Sequence, residues 1–438
     1  MSNTRLEEKK IMHLREARGI GRMTLAEAMR ADADLVKQVE SGEAHYSPAQ
    51  LRLARKHLNL TNMPLSELEV AAFKRRLYIM YDLVKDRRFH EAKDMCSEMA
   101  CVLELDNCDD DLPQLHRLFE AHILIYADND LNAAEKKLEQ YQSKNYGPTA
   151  EHNYHYYFNM AAIHTRRVDY EASLSFYKKA QEVSSTVKEL TQEDIKRLHL
   201  GIGACYTFLE FPFKAISCLE NARDLHTDKR TCVLNIHFDN TLALNYIRVN
   251  ELNKAEKLLE HCLICANSIK DGFYIGLAHY NLGLLRNQRE MWADAIDYFE
   301  RAIECFEKDT LQHLRAMCCM VRCWASLGKF ANAKRLLKKA TSMCNDELYN
   351  IIYEAIRHYI EVRGRISLYN DKSVEYIETI ALPHFERTYD YYLAIDFYKL
   401  LEKYYAKKND KKSLLMSEAI RRIYERCLIS VDEGGLIP

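Results

Sequence analysis

The sequence predicts an all-α fold: a helix-turn-helix domain followed by a right-handed α-superhelix of stacked helix pairs. Three observations predict it. Only 13 Gly and 7 Pro occur in 438 residues, so few positions carry residues that break helices. Apolar side chains recur at helical rather than alternating spacing along most of the chain. A large residue followed three positions later by a small one returns with a period near 40, the mark of helix pairs that bury their faces only by stacking.

The amino-terminal helices come first. Leu6, Ile11, Leu14 and Ala17 form one buried stripe over residues 6–18, and Gly19 can end that helix in a left-handed conformation. A short helix follows from Arg22 to Met29. After a tight turn Asp32 opens another helix, its carboxylate accepting free backbone N–H groups of the first turn. Leu25, Ala26, Met29, Leu35, Val36 and Val39 are apolar where two crossed helices must touch. Glu40-Ser41-Gly42 closes this second helix, and Leu51, Leu53, Ala54 and Leu58 mark a closing one. Residues 1–60 hold 11 Lys/Arg against 8 Asp/Glu, whereas the whole chain has a net charge of −2, so the small basic excess is concentrated in this segment.

Over residues 10–60 this pattern resembles the DNA-binding domain of the lambda-repressor-like (Cro or Xre) family. Leu25-Ala26 to Glu40-x-Gly42 keeps the family spacing without a gap, and Ser47-Pro48 precedes the closing helix. The resemblance implies that Ala33, Asp34, Lys37 and Gln38 face base edges, while Arg22, His45 and Tyr46 meet phosphates. The segment departs from the family where Gly21-Arg22 and Asp32-Ala33-Asp34 stand in place of the usual Ser-Gln and Ser-x-Ser openings. A head that merely caps the repeats is the competing reading.

The repeat begins near Tyr81. Phe89/Ala92, Leu131/Ala134, Tyr170/Ser173, Pro212/Ala215, Leu252/Ala255, Trp292/Ala295 and Phe330/Ala333 carry it, with small positions 42, 39, 42, 40, 40 and 38 apart. Small residues allow the helices of a pair to cross closely, and the large side chain fills the gap to the neighbouring pair. Residues 280–303, with Asn281-Leu282-Gly283, Trp292-Ala293-Asp294-Ala295 and Tyr298-Phe299, look like a tetratricopeptide repeat. The period exceeds that family's usual length of about 34, which implies longer helices or turns. The expected domains are 1–62 for the head, 63–75 for a linker, 76–345 for the repeats, and 346–438 for carboxy-terminal helices that cap the stack or dimerise. The aromatic stretch 388–405 is read either as a dimer contact or as buried packing.

Stacked pairs present their first helices on a concave wall, where an extended peptide can lie. Its backbone calls for amide side chains, and its carboxylate for Arg. The register proposes His155, Asn159 and Arg166 in one repeat and Arg197 in the next. His237, Asn240 and Arg248 follow, then Asn281, Asn287, Gln288 and Arg322. No phosphate loop, HExxH or nucleophile elbow occurs, so no enzyme, cofactor or metal is expected. The 14 Cys are scattered through amphipathic segments, as at Cys205, Cys218, Cys305 and Cys318, and read as reduced core residues. Cys262 and Cys265 form a lone CxxC without a second pair at zinc spacing, and core packing is favoured for them. Charged residues interrupt residues 1–20 and every apolar run, so a cytoplasmic protein without a membrane segment is expected.

An Xre-like domain followed by such repeats resembles the Rgg/Rap/NprR/PlcR/PrgX (RRNPP) group of peptide-pheromone receptors. The resemblance implies a homodimeric, quorum-sensing transcription regulator that binds double-stranded DNA at an inverted repeat and is switched by a short signalling peptide. Its alternative is a Rap-like switch that sequesters or dephosphorylates a response regulator. Those members lack a DNA-binding head, although others combine both activities.

Overall fold

The computed structural model describes residues 3–58, 67–103, 111–142, 148–225, 232–342, 347–364, 371–387 and 391–429, apart from Asp309 and Lys407. Among the described residues the regular structure is helical and no strand occurs. The chain divides into two compact units, Met1–Leu190 and Thr191–Pro438.

The first unit opens with α1 (Asn3–Ala17), α2 (Arg22–Met29), α3 (Ala33–Ser41) and α4 (Pro48–His57). Local chemistry sets their ends. Gly19 takes φ 63° after α1. The Asp32 carboxylate accepts from the Asp34 N–H, and Gly42 closes α3 at φ 97°. Ser47 and Gln50 form a capping box over α4, with Pro48 in the first turn. Of the apolar residues expected at the crossing, Leu25, Ala26, Met29, Val36 and Val39 are buried and Leu35 is half-buried against the same core.

Three helix pairs continue the unit: α5 (Glu67–Lys85), α6 (Phe89–Leu103), α7 (Asp111–Ile123), α8 (Leu131–Gln142), α9 (Ala150–Arg166) and α10 (Tyr170–Ser184), with a π-helical turn, Leu124–Asp128, extending α7. The linker expected over 63–75 is corrected for its second half, because residues 67–75 already belong to α5; residues 63–66 lie outside the described residues. The head is packed directly on the repeats. Ile11 and Leu14 of α1 share one apolar core with Phe73, Leu77 and Met80 of α5 and Met99 of α6. Around it, Glu98 of α6 accepts Lys9 and lies 3.4 Å from His13, and Arg76 of α5 pairs with Glu16.

The second unit contains α11 (Gln192–Phe208), α12 (Pro212–Arg223), α13 (Cys232–Arg248), α14 (Leu252–Ile269), α15 (Gly272–Gln288), α16 (Trp292–Cys305), α17 (Leu311–Ser326) and α18 (Phe330–Ser342). Then come α19 (Glu347–Gly364), α20 (Asp371–Tyr376), a π-helical turn at Ile377–Ala381, α21 (Leu382–Arg387), α22 (Tyr391–Tyr405) and α23 (Asp410–Ile429). The last helix returns against α12. Rings of the aromatic stretch, Phe397, Tyr398, Tyr404 and Tyr405, are buried in the core of these final helices, which favours packing over a dimer contact for them.

The repeat register is reproduced throughout. Phe89, Leu131, Tyr170, Pro212, Leu252, Trp292 and Phe330 each begin the second helix of a pair, and all seven small partners are 0% exposed. Two residues before each of these starts stands a left-handed residue: Arg87, Asn129, Val168, Glu210, Asn250, Glu290 and Gly328. This residue closes the tight turn that folds the second helix back on the first. Among the repeat glycines the closest approach is at Gly283, where a Cβ would come within 2.6 Å of the Phe299 ring.

Candidate functional site

On the head, α3 keeps Asp34, Lys37 and Gln38 exposed, with Ala33 half-buried at its first turn. Arg22 is half-exposed, but its Nε donates to Glu40 at 2.6 Å. Glu40 also holds Arg15 at 2.7 Å, so a phosphate would have to share Arg22 with a fixed carboxylate. His45 is exposed, its Nδ1 lying 2.9 Å from Glu8. Tyr46 is corrected. It is 4% exposed and packs in the core of the head, and its backbone N–H donates to Glu8 at 2.7 Å. Its ring therefore cements the loop and does not meet phosphate.

The first helices of successive pairs lie so close that several expected groove residues are consumed between them. Asn159 of α9 is buried, donating to the Leu118 carbonyl of α7 at 2.7 Å and accepting from His122 at 2.8 Å. His155 is buried among the rings of Tyr78, Tyr81, Phe119 and Tyr154. Asn281 of α15 donates to Asn240 of α13 at 3.1 Å, and both are buried. For these four the groove assignment is corrected: His155 is buried among rings and the three amides are buried between neighbouring helices, so none of them faces the groove in this structure. Arg166 is exposed, bonded to Asn129 at 2.7 Å and set over the Tyr126 ring. Arg197 pairs with Glu193 of its own helix at 2.7 Å, and His237 is exposed beside Tyr274.

The remaining four candidates come together in the second unit. Arg248, Asn287, Gln288 and Arg322 line one cavity of about 540 Å³. The size is that of a small-ligand site. Its other wall comes from the carboxy-terminal helices: Tyr359 and Arg363 of α19, Ile395, Asp396, Lys399, Leu400 and Lys403 of α22, and Ile423 and Tyr424 of α23. The sequence reading missed this wall.

Fixed pairs frame the cavity. Arg248 donates to the Thr207 carbonyl at the end of α11 and lies 2.8 Å from Glu210. Arg322 is 5% exposed and pairs with Asp396 of α22. Arg363 donates to the Ala325 carbonyl at 3.3 Å and sits over the Tyr359 ring. Trp292, Ile247 and Phe213 add apolar surface. Such a site combines apolar surface with a charge-rich polar lining, which suits a small ligand that carries both apolar and polar groups.

Three of the described cysteines are held as buried thiols. Burial pushes the Cys96, Cys218 and Cys323 thiols up to about 12, so they stay protonated at neutral pH. Cys262 is buried and donates to the Ile236 carbonyl, as core packing requires. Among the described residues no group of three His, Cys, Asp or Glu is placed to hold a metal ion, and no helix is long and apolar enough to cross a membrane.

Comparison with known proteins places this architecture. Residues 231–308 match the family model for the tetratricopeptide repeat. The transcriptional activator NprA of Geobacillus stearothermophilus is 20% identical over 388 residues, spanning 86% of this chain and 93% of the relative. The regulatory protein RapD of Bacillus subtilis (strain 168) is 25% identical over 182 residues, 39% of this chain and 47% of RapD, so that match covers about half of RapD's length. Among solved structures, a Rap protein complexed with competence and sporulation factor superposes with a TM-score of 0.67 at 17% identity, covering 82% of this chain and 98% of that one. NprR in complex with its cognate peptide NprX superposes with a TM-score of 0.62 at 16% identity, covering 80% and 99%.

Proposed function

We propose that this chain, which has the repeat fold of the RRNPP receptors, is a transcription regulator that binds DNA through α2 and α3 and is switched by a short peptide in the cavity of the second unit. One observation carries the choice: α3 buries its apolar stripe yet leaves Asp34, Lys37 and Gln38 in solvent, at the positions that read base edges in such motifs.

The similarity to NprA supports a regulator of transcription, and the peptide-bound Rap and NprR neighbours support a peptide ligand. We place its action in the cytoplasm, with no catalytic step. Leu414 and Leu415 of α23, 60% and 46% exposed, supply apolar surface for a homodimer. Two heads in such a dimer would read the halves of an inverted repeat about 34 Å apart. Because α1 shares a core with α5 and α6, a ligand-driven change in the repeats would move the head with them.

A second reading is favoured by the RapD match and by the tie between Arg22 and Glu40, which lowers the head's claim on phosphate. In it the chain regulates by binding a response regulator. Selection of random duplex DNA on the purified protein at low salt separates the two, since phosphate contacts are then strongest. Enrichment of a two-fold symmetric sequence supports the DNA reader. No enrichment, together with capture of a response-regulator domain, supports the alternative.

A further inference from the structure

We propose that the cavity selects a carboxylate-bearing peptide, and that Lys399 and Lys403 of α22 hold the carboxylate. The proposal rests on the peptide-receptor reading above and names the ligand chemistry of that site.

The charges lining the cavity do not balance. Arg248 is matched by Glu210 and Arg322 by Asp396. Of the other cations, Arg363 is engaged by a carbonyl and a ring, groups that leave its charge uncompensated. Lys399 and Lys403 have no acidic group within ion-pair distance among the described residues, and both are exposed toward the space that they line. They stand four residues apart on one helix, so their ammonium groups share a face and repel each other until an anion arrives. Glu290, in the left-handed turn before Trp292, is the remaining acid of the lining, and it leaves the cations in excess.

An excess of one sign within low-dielectric walls concentrates potential and favours an oppositely charged ligand. The walls also decide which anion. Ile247, Trp292, Ile395 and Leu400 give the cavity apolar surface, which suits aliphatic or aromatic side chains next to a single carboxylate and penalises a densely hydrated polyphosphate. The carboxylate can come from the peptide's carboxy terminus or from an Asp or Glu side chain.

The test uses full-length protein and pooled synthetic hexapeptides in three libraries: free carboxy termini, amidated termini, and amidated termini without Asp or Glu. Peptides that co-elute with the protein are identified by mass spectrometry. The third library is expected to be retained about tenfold less than the first. The second then assigns the source, since retention there means a side-chain carboxylate and loss means the terminus. K399Q/K403Q, two exposed positions whose change leaves the fold intact by thermal melt, is expected to abolish that preference and to weaken the retained peptides about tenfold. Equal retention of the third library, or an unchanged preference in the double variant, overturns the carboxylate proposal and leaves the peptide receptor standing. Retention of no peptide from any library overturns both.

Discussion

Seven turns of the repeat ask for a left-handed residue, and only Gly328 supplies glycine. Val168 is the least suited of the others, because a β-branched side chain at φ 64° meets its own backbone. The side chain is 67% exposed, so it gains little packing in return. Val168→Gly is therefore expected to stabilise the protein by up to about 1 kcal/mol, after allowing for glycine's greater freedom in the unfolded chain; a lower melting temperature would show that the turn is not strained. Gly283 is the opposite case. With the Phe299 ring 2.6 Å from where its Cβ would stand and that ring fully buried, Gly283→Ala is expected to destabilise by about 1–3 kcal/mol in urea unfolding despite alanine's better helix propensity.

Elements show which parts the sequence could disclose. The starts of seven second helices were legible because two constraints coincide there: a large side chain that fills the gap between pairs, and a small one where helices cross. The turn conformation was not legible, since Arg87, Glu210 and Glu290 have no intrinsic preference for it and adopt it because the pair must close. Four of the eleven groove candidates are buried between helices for a related reason. Spacing puts Asn159 and Asn281 on the face toward the neighbouring first helix, but only the distance between helices decides whether an amide is free or spent in a stitch. The cavity's second wall was beyond reach because the repeat pattern fades before α22, and Arg322 meets Asp396 across 74 positions of sequence. On α3 the sequence and the structure agree on exposure. Arg22→Ala, at a phosphate position, is expected to weaken all DNA sequences alike and to reduce the salt slope by about one, whereas Gln38→Ala is expected to cost about 1–3 kcal/mol at one base position only. Fluorescence anisotropy at several salt concentrations distinguishes these outcomes, and equal effects on every sequence from both changes would remove Gln38 from base reading.

At the scale of the whole molecule, stability should depend on mild acid. Burial, with Arg301 near one and Arg357 near the other, holds His279 and His358 below the ordinary histidine value of 6.5. Both are neutral in the fold, so unfolding takes up protons as the pH drops. Their contribution is present above about pH 6.5 and is lost as the pH falls from there toward their folded values. Melting temperature is expected to fall between neutral pH and about pH 5, and the fall to be shallower in His279→Gln; an unchanged slope would show that this ring titrates normally. A peptide-switched regulator links two sites, one on the head and one in the cavity, and binding linkage must be reciprocal. The direct measurement is the affinity of the protein for its selected duplex with and without a saturating cavity peptide. A coupled head and cavity would give a change of about fivefold or more, matched by an equal change in peptide affinity when the duplex is present. Identical DNA affinities in both conditions, with the peptide shown to be bound, would contradict it.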